Sequence, residues 1–169
     1  PIGSTLVMPG LLLRSQPAEA TVESIAGDVS VDGRPLVVGQ KIGEAASVRT
    51  GAASVVVLRL SDGSTLRLAP ASQLRLERLR RYHDDRIIEA RILLERGRIE
   101  TAVAPGRRKP VEVRTPLATA AVRGTAFRVG AVEALASAEV LGGEIGWGAA
   151  AKPAPLPAGF GATADPGGV

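Results

Sequence analysis

The sequence predicts an all-β protein: an antiparallel β-roll, a solenoid-like stack or a sandwich of about a dozen short strands, with little or no helix. Three observations carry this. Apolar residues recur at every second position over much of the chain. Gly, Asp and Pro interrupt that alternation at intervals of roughly ten residues, as turns between short strands do. The apolar residues are nearly all Val, Leu, Ile and Ala, because aromatic residues make up only 2% of the 169 positions.

The elements follow in order. Residues 1–15, PIGSTLVMPGLLLRS, are apolar but broken by Pro9 and Gly10, and read as two short extended pieces. From Ala20 the alternation becomes regular, with Val22, Ile25, Val29 and Val31 apolar and Gly27-Asp28 and Asp32-Gly33 as punctuation. The clearest stretch is SVVVLRLSDGSTLRLAPASQLRLERL, residues 54–79. Val56, Leu58 and Leu60 share one face, and Asp62-Gly63 predicts a type I′ hairpin turn with φ > 0 at both residues. Leu66 and Leu68 alternate with polar partners up to Pro70, and Leu74 and Leu76 do so after it.

Residues 78–98 combine helix formers with a charged cluster. A wide loop around residues 82–86 followed by a strand over 87–95 is the preferred reading, with Gly97 as the turn into a strand over 98–103. Val111, Val113 and Thr115 resume period two before Pro116. Phe127 and Val129 alternate with Arg128, and a double glycine, Gly142-Gly143, separates two strand-like pieces within residues 139–147. Beyond Gly148 the chain is rich in Pro, Ala and Gly. Pro153, Pro155 and Pro157 predict an extended segment with few ladder bonds, and residues 164–169 are expected to be disordered. The domain division is therefore an extension over 1–19, a β domain over 20–148 and a C-terminal strand and tail over 149–169.

Composition narrows the function. With 45% hydrophobic and 22% charged residues the chain can bury a core. The net charge of +4 suits an anionic partner. Nucleic acid is not expected, since one Trp, one Tyr and two Phe give few stacking platforms. Without cysteine there is no disulfide or thiolate chemistry. No apolar run reaches the roughly 20 residues of a membrane-spanning helix, so this chain is not expected to cross a bilayer. It opens at Pro1 rather than Met, and an export signal is expected upstream.

Catalytic constellations are missing. The one imidazole, His83, has Asp84 and Asp85 beside it, but three adjacent residues cannot easily converge on one ion and no second His or Cys completes a zinc set. No phosphate-binding glycine loop is present. A non-enzymatic module is expected, with no cofactor and no metal. Two basic segments, Arg78, Arg80 and Arg81 in the first and Arg107, Arg108 and Lys109 in the second, are the candidate partner-binding residues.

Three blocks resemble the FecR-like (iron-dicitrate sensor) domain family: TGAASVVVLRLSDGSTLRLAPASQLRL at 50–76, LERGRIETAV at 94–103 and VEVRTPLATAAVRGTAFRV at 111–129. The last carries the most specific pattern, with Thr115, Pro116, Arg123, Gly124, Thr125, Phe127 and Val129 at matching positions. The resemblance spans residues 20–129 and continues more loosely over 139–161. It implies an all-β sensing or protein-interaction module in the periplasm, cell envelope or extracellular space. In the best-known members this region relays occupancy of an outer-membrane TonB-dependent transporter to a cytoplasmic anti-sigma segment. This chain shows neither a membrane helix nor sigma-binding helices. The opening PIGSTLVMP resembles the last strand of a LysM peptidoglycan-binding module, which implies a LysM domain upstream and association with peptidoglycan. The other readings are a self-assembling envelope or extracellular protein, in which strand edges pair between identical chains, and a peptidoglycan-associated protein.

From the residues themselves, Arg123 is placed on an alternating strand of Ala and Val. There it could turn inward and require a buried partner. Gly124 would allow a close backbone approach and Thr125 a local hydrogen bond.

Overall fold

A computed structural model describes residues 15–81, 87–106, 109–149 and 153–167. The pieces read from residues 1–14, including the LysM-like opening, lie outside them, as do His83, Asp84, Asp85, Arg107 and Arg108. All regular structure in the described residues is β. Seventeen strands run in order: β1 Gln16–Pro17, β2 Ala20–Ala26, β3 Val29–Val31, β4 Arg34–Pro35, β5 Lys41–Ile42, β6 Ser47–Thr50, β7 Val55–Leu60, β8 Thr65–Leu68, β9 Gln73–Arg81, β10 Ile87–Ala102, β11 Val111–Arg114, β12 Thr119–Val122, β13 Ala126–Val132, β14 Leu135–Gly142, β15 Glu144–Gly148, β16 Ala154–Pro157 and β17 Gly161–Ala164.

The pairings define two sheets. The first runs β4-β3-β6-β9-β10-β11-β12-β15-β16, with β1 also on the β6 side of β9. The second runs β5-β2-β7-β8-β10-β13-β14-β17. Each turns one face inward, and the inward residues form a single aliphatic core with Phe127 and Trp147 as its aromatic members. The two sheets are continuous through β10, so the strands wrap that core as one all-β unit. The ladders are antiparallel except for β10–β11, which is parallel and which period-two patterning could not reveal.

Strand β10 is common to both sheets. Over residues 87–96 it pairs with β9, and over 97–102 it pairs with β8 and β13. Gly97, at φ 89°, makes the corner. It also shifts the inward phase: Ala90, Ile92 and Leu94 are buried before it, and Ile99, Thr101 and Val103 after it. Gly97 is thus a bend inside one strand of 16 residues, not the turn between two strands that the sequence predicts. A similar slip in β9 leaves Glu77 as an extra residue between the pairs Arg91–Arg78 and Ile92–Leu76, so that Leu79 rather than Arg78 points inward.

Two Asp-Gly dipeptides make different hairpins. Asp32 and Gly33, at φ 49° and 77°, form the two-residue link between β3 and β4. At Asp62-Gly63 only the glycine is left-handed, and the Leu60 carbonyl accepts from Gly63 N at 3.0 Å. That geometry is a turn closed by a left-handed glycine, in place of the predicted type I′. Asp62 Oδ1 accepts from Ser64 N, which fixes the loop locally. Beyond Gly148 the extended segment forms more ladder than its prolines predict, pairing with β15 and β14. Residues 154–157 and 161–164 are strands, and Asp165 accepts a hydrogen bond from Gly167 N at 2.7 Å.

Candidate partner-binding face and the Arg-Gly-Thr corner

The outward face of β9, β10 and β11 is built of long charged side chains, because alternate residues of these strands must face water. Arg91 pairs with Glu112 across the parallel ladder at 2.9 Å, and Arg114 with Glu77 at 3.0 Å. Glu89 lies in the middle. Arg78 Nη1 approaches its Oε1 at 3.4 Å, Lys109 Nζ its Oε2 at 3.7 Å, and Arg91 lies 4.0 Å away. Three cations therefore approach one carboxylate, with Arg91 held chiefly by Glu112. Two of them come from the two separate basic segments of the sequence.

Arg80 is placed differently. Its Nε donates to Glu44 Oε1 at 2.8 Å, and the same oxygen accepts from Leu79 N at 2.9 Å. That carboxylate ties the loop between β5 and β6 to β9. Arg81 ends β9, opposite Gln16 of β1. Of the six predicted partner-binding residues, Arg78 and Lys109 meet at Glu89, Arg80 and Arg81 lie further along β9, and Arg107 and Arg108 are outside the described residues.

The other sheet has a comparable outer ladder. Arg128 stands between Glu100 at 2.8 Å and Glu139 at 3.2 Å on the two neighbouring strands. The hydrogen bond that Arg91 donates to Glu112 raises its guanidinium above the usual arginine range, against a smaller lowering by burial. The bonds that Arg128 donates to Glu100 and then to Glu139 do the same for it. A cation whose folded pKa is raised stabilises the fold at every pH below its unfolded value, so these contributions are lost only in strong alkali. Neither arginine introduces a titration near neutrality.

The most specific sequence block forms two backbone fixtures. Thr115 Oγ1 accepts from Ala118 N at 2.9 Å, and Thr115 N donates to the Ala118 carbonyl at 2.8 Å, so Thr115 and Pro116 close the tight link between β11 and β12. Thr125 Oγ1 lies 3.2 Å from the Glu144 carbonyl and 3.3 Å from that of Arg123, and Val103 N donates to the Thr125 carbonyl. Gly124, at φ 66°, has the Pro105 backbone where a Cβ would point, 3.1 Å away. Phe127 is fully buried beside Thr101 and Val140. Arg123, however, is exposed. The inward orientation considered for it fails because the chain has already left β12 at Val122, and the bend at residues 123–124 turns its side chain to water.

Among the described residues no group of His, Cys, Asp and Glu could hold a metal ion, and no helix is long and apolar enough to cross a membrane. A groove of about 430 Å³ opens beside β3, β4 and β6, with Arg49, Asp28 and Ser30 among its lining.

The shared strand, the corner and the charged ladders together define an all-β module. The FecR protein family matches residues 46–146, more than half of the chain, and the chain belongs to that family. The match starts 26 residues after the predicted resemblance, at Ala46 instead of Ala20, and it includes the β14–β15 region. No curated protein matches the chain. Two crystal structures of a candidate anti-sigma factor from Parabacteroides distasonis have a similar fold. Each is 19% identical, with a TM-score of 0.59, over 70% of this chain and 54% of theirs. This chain thus spans about half the length of those proteins, and the likeness is one of fold.

Proposed function

We propose that the chain is a non-enzymatic sensing module of the bacterial cell envelope, periplasmic or extracellular, that binds a protein partner through the outer face of β9, β10 and β11. The observation that carries this reading is the meeting of Arg78 and Lys109 on Glu89, which brings two basic segments about thirty residues apart into one surface. Membership of the FecR family supports a role in signalling. The partner would present acidic groups, and an outer-membrane TonB-dependent transporter is one protein of the right location. Arg80, Arg81, Arg107 and Arg108 would extend the surface. Residues 20–148 would be the sensing domain and 149–169 its closing strands. Residues 1–19 would be an extension leading from a LysM module that holds the protein to peptidoglycan.

The test is capture of a partner from envelope extract by the intact chain, compared with the variant Arg78→Glu/Lys109→Glu and with one carrying Arg107→Glu and Arg108→Glu. The expected result is one captured protein whose binding weakens with salt and disappears in the first variant. Equal capture by wild type and both variants would overturn the reading.

A further inference from the structure

The groove beside β3, β4 and β6 is lined by one cation, Arg49, and one anion, Asp28, which do not pair with each other. Its volume of about 430 Å³ is in the range of small-molecule sites. Much of the remaining lining is glycine backbone, Pro35 and Leu36.

Each charge is held by other neighbours. Gly27, at φ 78°, turns the chain against Ser54, and a Cβ there would collide with the Ser54 side chain. Ser54 is 3% exposed, and its Oγ accepts from Asp28 N at 2.8 Å. The Asp28 carbonyl accepts from Gly51 N at 2.9 Å. Asp28 is thus anchored through its backbone, while its carboxylate makes no hydrogen bond or ion pair among the described residues. Arg49 lies opposite Ser30 in the β3–β6 ladder, and its Nη2 donates to the neutral Gln73 Oε1 at 3.1 Å. Gln73 is on β9, the far side of β6 from Asp28. That bond draws the guanidinium away from the carboxylate and leaves other N–H groups of its five for a ligand.

Because Ser30 is opposite Arg49, Asp28 is opposite Gly51 and one diagonal from the arginine, a separation of about 7–8 Å across the ladder. A Cβ on Gly51 would lie 3.6 Å from Asp28 Cβ, so glycine keeps the space between the two charges clear. A ligand that fills it must carry both complementary charges close together.

We propose that this groove binds an α-amino acid with an aliphatic side chain. Its ammonium donates to Asp28, its carboxylate accepts from Arg49, and its side chain lies against Pro35 and Leu36. An α-amino acid carries the two charges on one carbon, which suits their short separation. The lining offers no third charge to a charged side chain. Both protein charges are exposed, so binding is weak, on the order of millimolar. Residues 27–36 precede the FecR match, so family membership does not supply this site, and it is independent of the face at Glu89.

Two-dimensional NMR on the isotope-labelled chain tests the proposal, with L-leucine as the probe. Two analogues each lack one charge: isocaproate has no ammonium and isoamylamine no carboxylate. L-Leucine should shift the amide signals of Gly27, Ser30, Gly33 and Gly51 in a saturable way. Each analogue should bind roughly ten-fold more weakly or worse. Asp28→Asn and Arg49→Gln should each weaken leucine binding by a similar factor, and Arg78→Glu/Lys109→Glu should bind leucine as the wild type does. Asp28→Asn keeps the backbone bonds to Ser54 and Gly51, and unchanged amide signals beyond the groove check that each variant folds. The absence of a saturable shift with leucine overturns the proposal. So do shifts that survive both substitutions, and a response to isocaproate as strong as that to leucine, which would reduce Arg49 to a contact for any anion. Partner capture at Glu89 is a separate assay, so failure of either reading leaves the other standing.

Discussion

Gly97 and Ser72 touch backbone to side chain at the corner where the two sheets meet. A Cβ on Gly97 would lie 2.6 Å from Ser72 Cα, and Ser72 Oγ accepts from Arg98 N at 3.0 Å while donating to the Pro70 carbonyl. Glycine is required twice over, by contact and by its φ of 89°. Gly97→Ala should therefore cost roughly 3 kcal/mol or more, the sum of left-handed strain and overlap. Urea denaturation measures it, and a midpoint unchanged from wild type would contradict the corner.

The Arg-Gly-Thr block should divide sharply under substitution. Thr125→Val leaves the Glu144 carbonyl without its hydroxyl donor and should cost about 1–2 kcal/mol. Arg123→Ala, at an exposed position, should stay within about 0.5 kcal/mol of wild type. Thermal melts of the two variants side by side decide, and a larger loss for Arg123→Ala would restore the buried-arginine reading.

Thr101 is 1% exposed, and its Oγ1 has no hydrogen-bond partner among the described residues. Thr101→Val keeps the shape and removes the unsatisfied hydroxyl, so a gain of about 1 kcal/mol is expected. A comparable loss would mean that an internal water holds the hydroxyl, which a high-resolution crystal structure would reveal.

Glu89 gathers three cations at a partly exposed site, and its removal should matter more to charge than to folding. Glu89→Gln should lose no more than about 1 kcal/mol in low salt and nothing measurable in high salt. A loss that survives high salt would identify a buried network instead of a surface one.

Trp147, the only tryptophan, is 2% exposed in β15. Its emission should be blue-shifted in the native protein and move to the red in one step with urea, together with the circular-dichroism signal. Native emission typical of a solvated indole would contradict the packing of β15.

The alternation of Val56, Leu58 and Leu60, or of Val111 and Val113, revealed the strands because side-chain direction in β structure has a period of two. The same logic could not anticipate that Leu79 follows Leu76 on the inner face, since the bulge at Glu77 breaks the period where the charge pattern looks continuous. Nor could it show that Gly97 bends a strand instead of ending it. A left-handed glycine serves either purpose, and the choice depends on Ser72, 25 positions away. Asp62 and Asp32 look alike in sequence, yet loop length gives them different turns. The basic residues were visible as a composition, but their meeting at Glu89 depends on the pairing of β9 with β10 and on the position of Lys109 just before β11.

Because one uninterrupted strand belongs to both layers, neither layer can peel away while the other stays intact. Load applied to either side passes along the backbone of β10 through Gly97 instead of across a slip plane between side chains. A stress-bearing element of this kind is suited to hold its shape until it gives way as a whole, so a partner pulling on the outer face would meet a single all-or-none resistance.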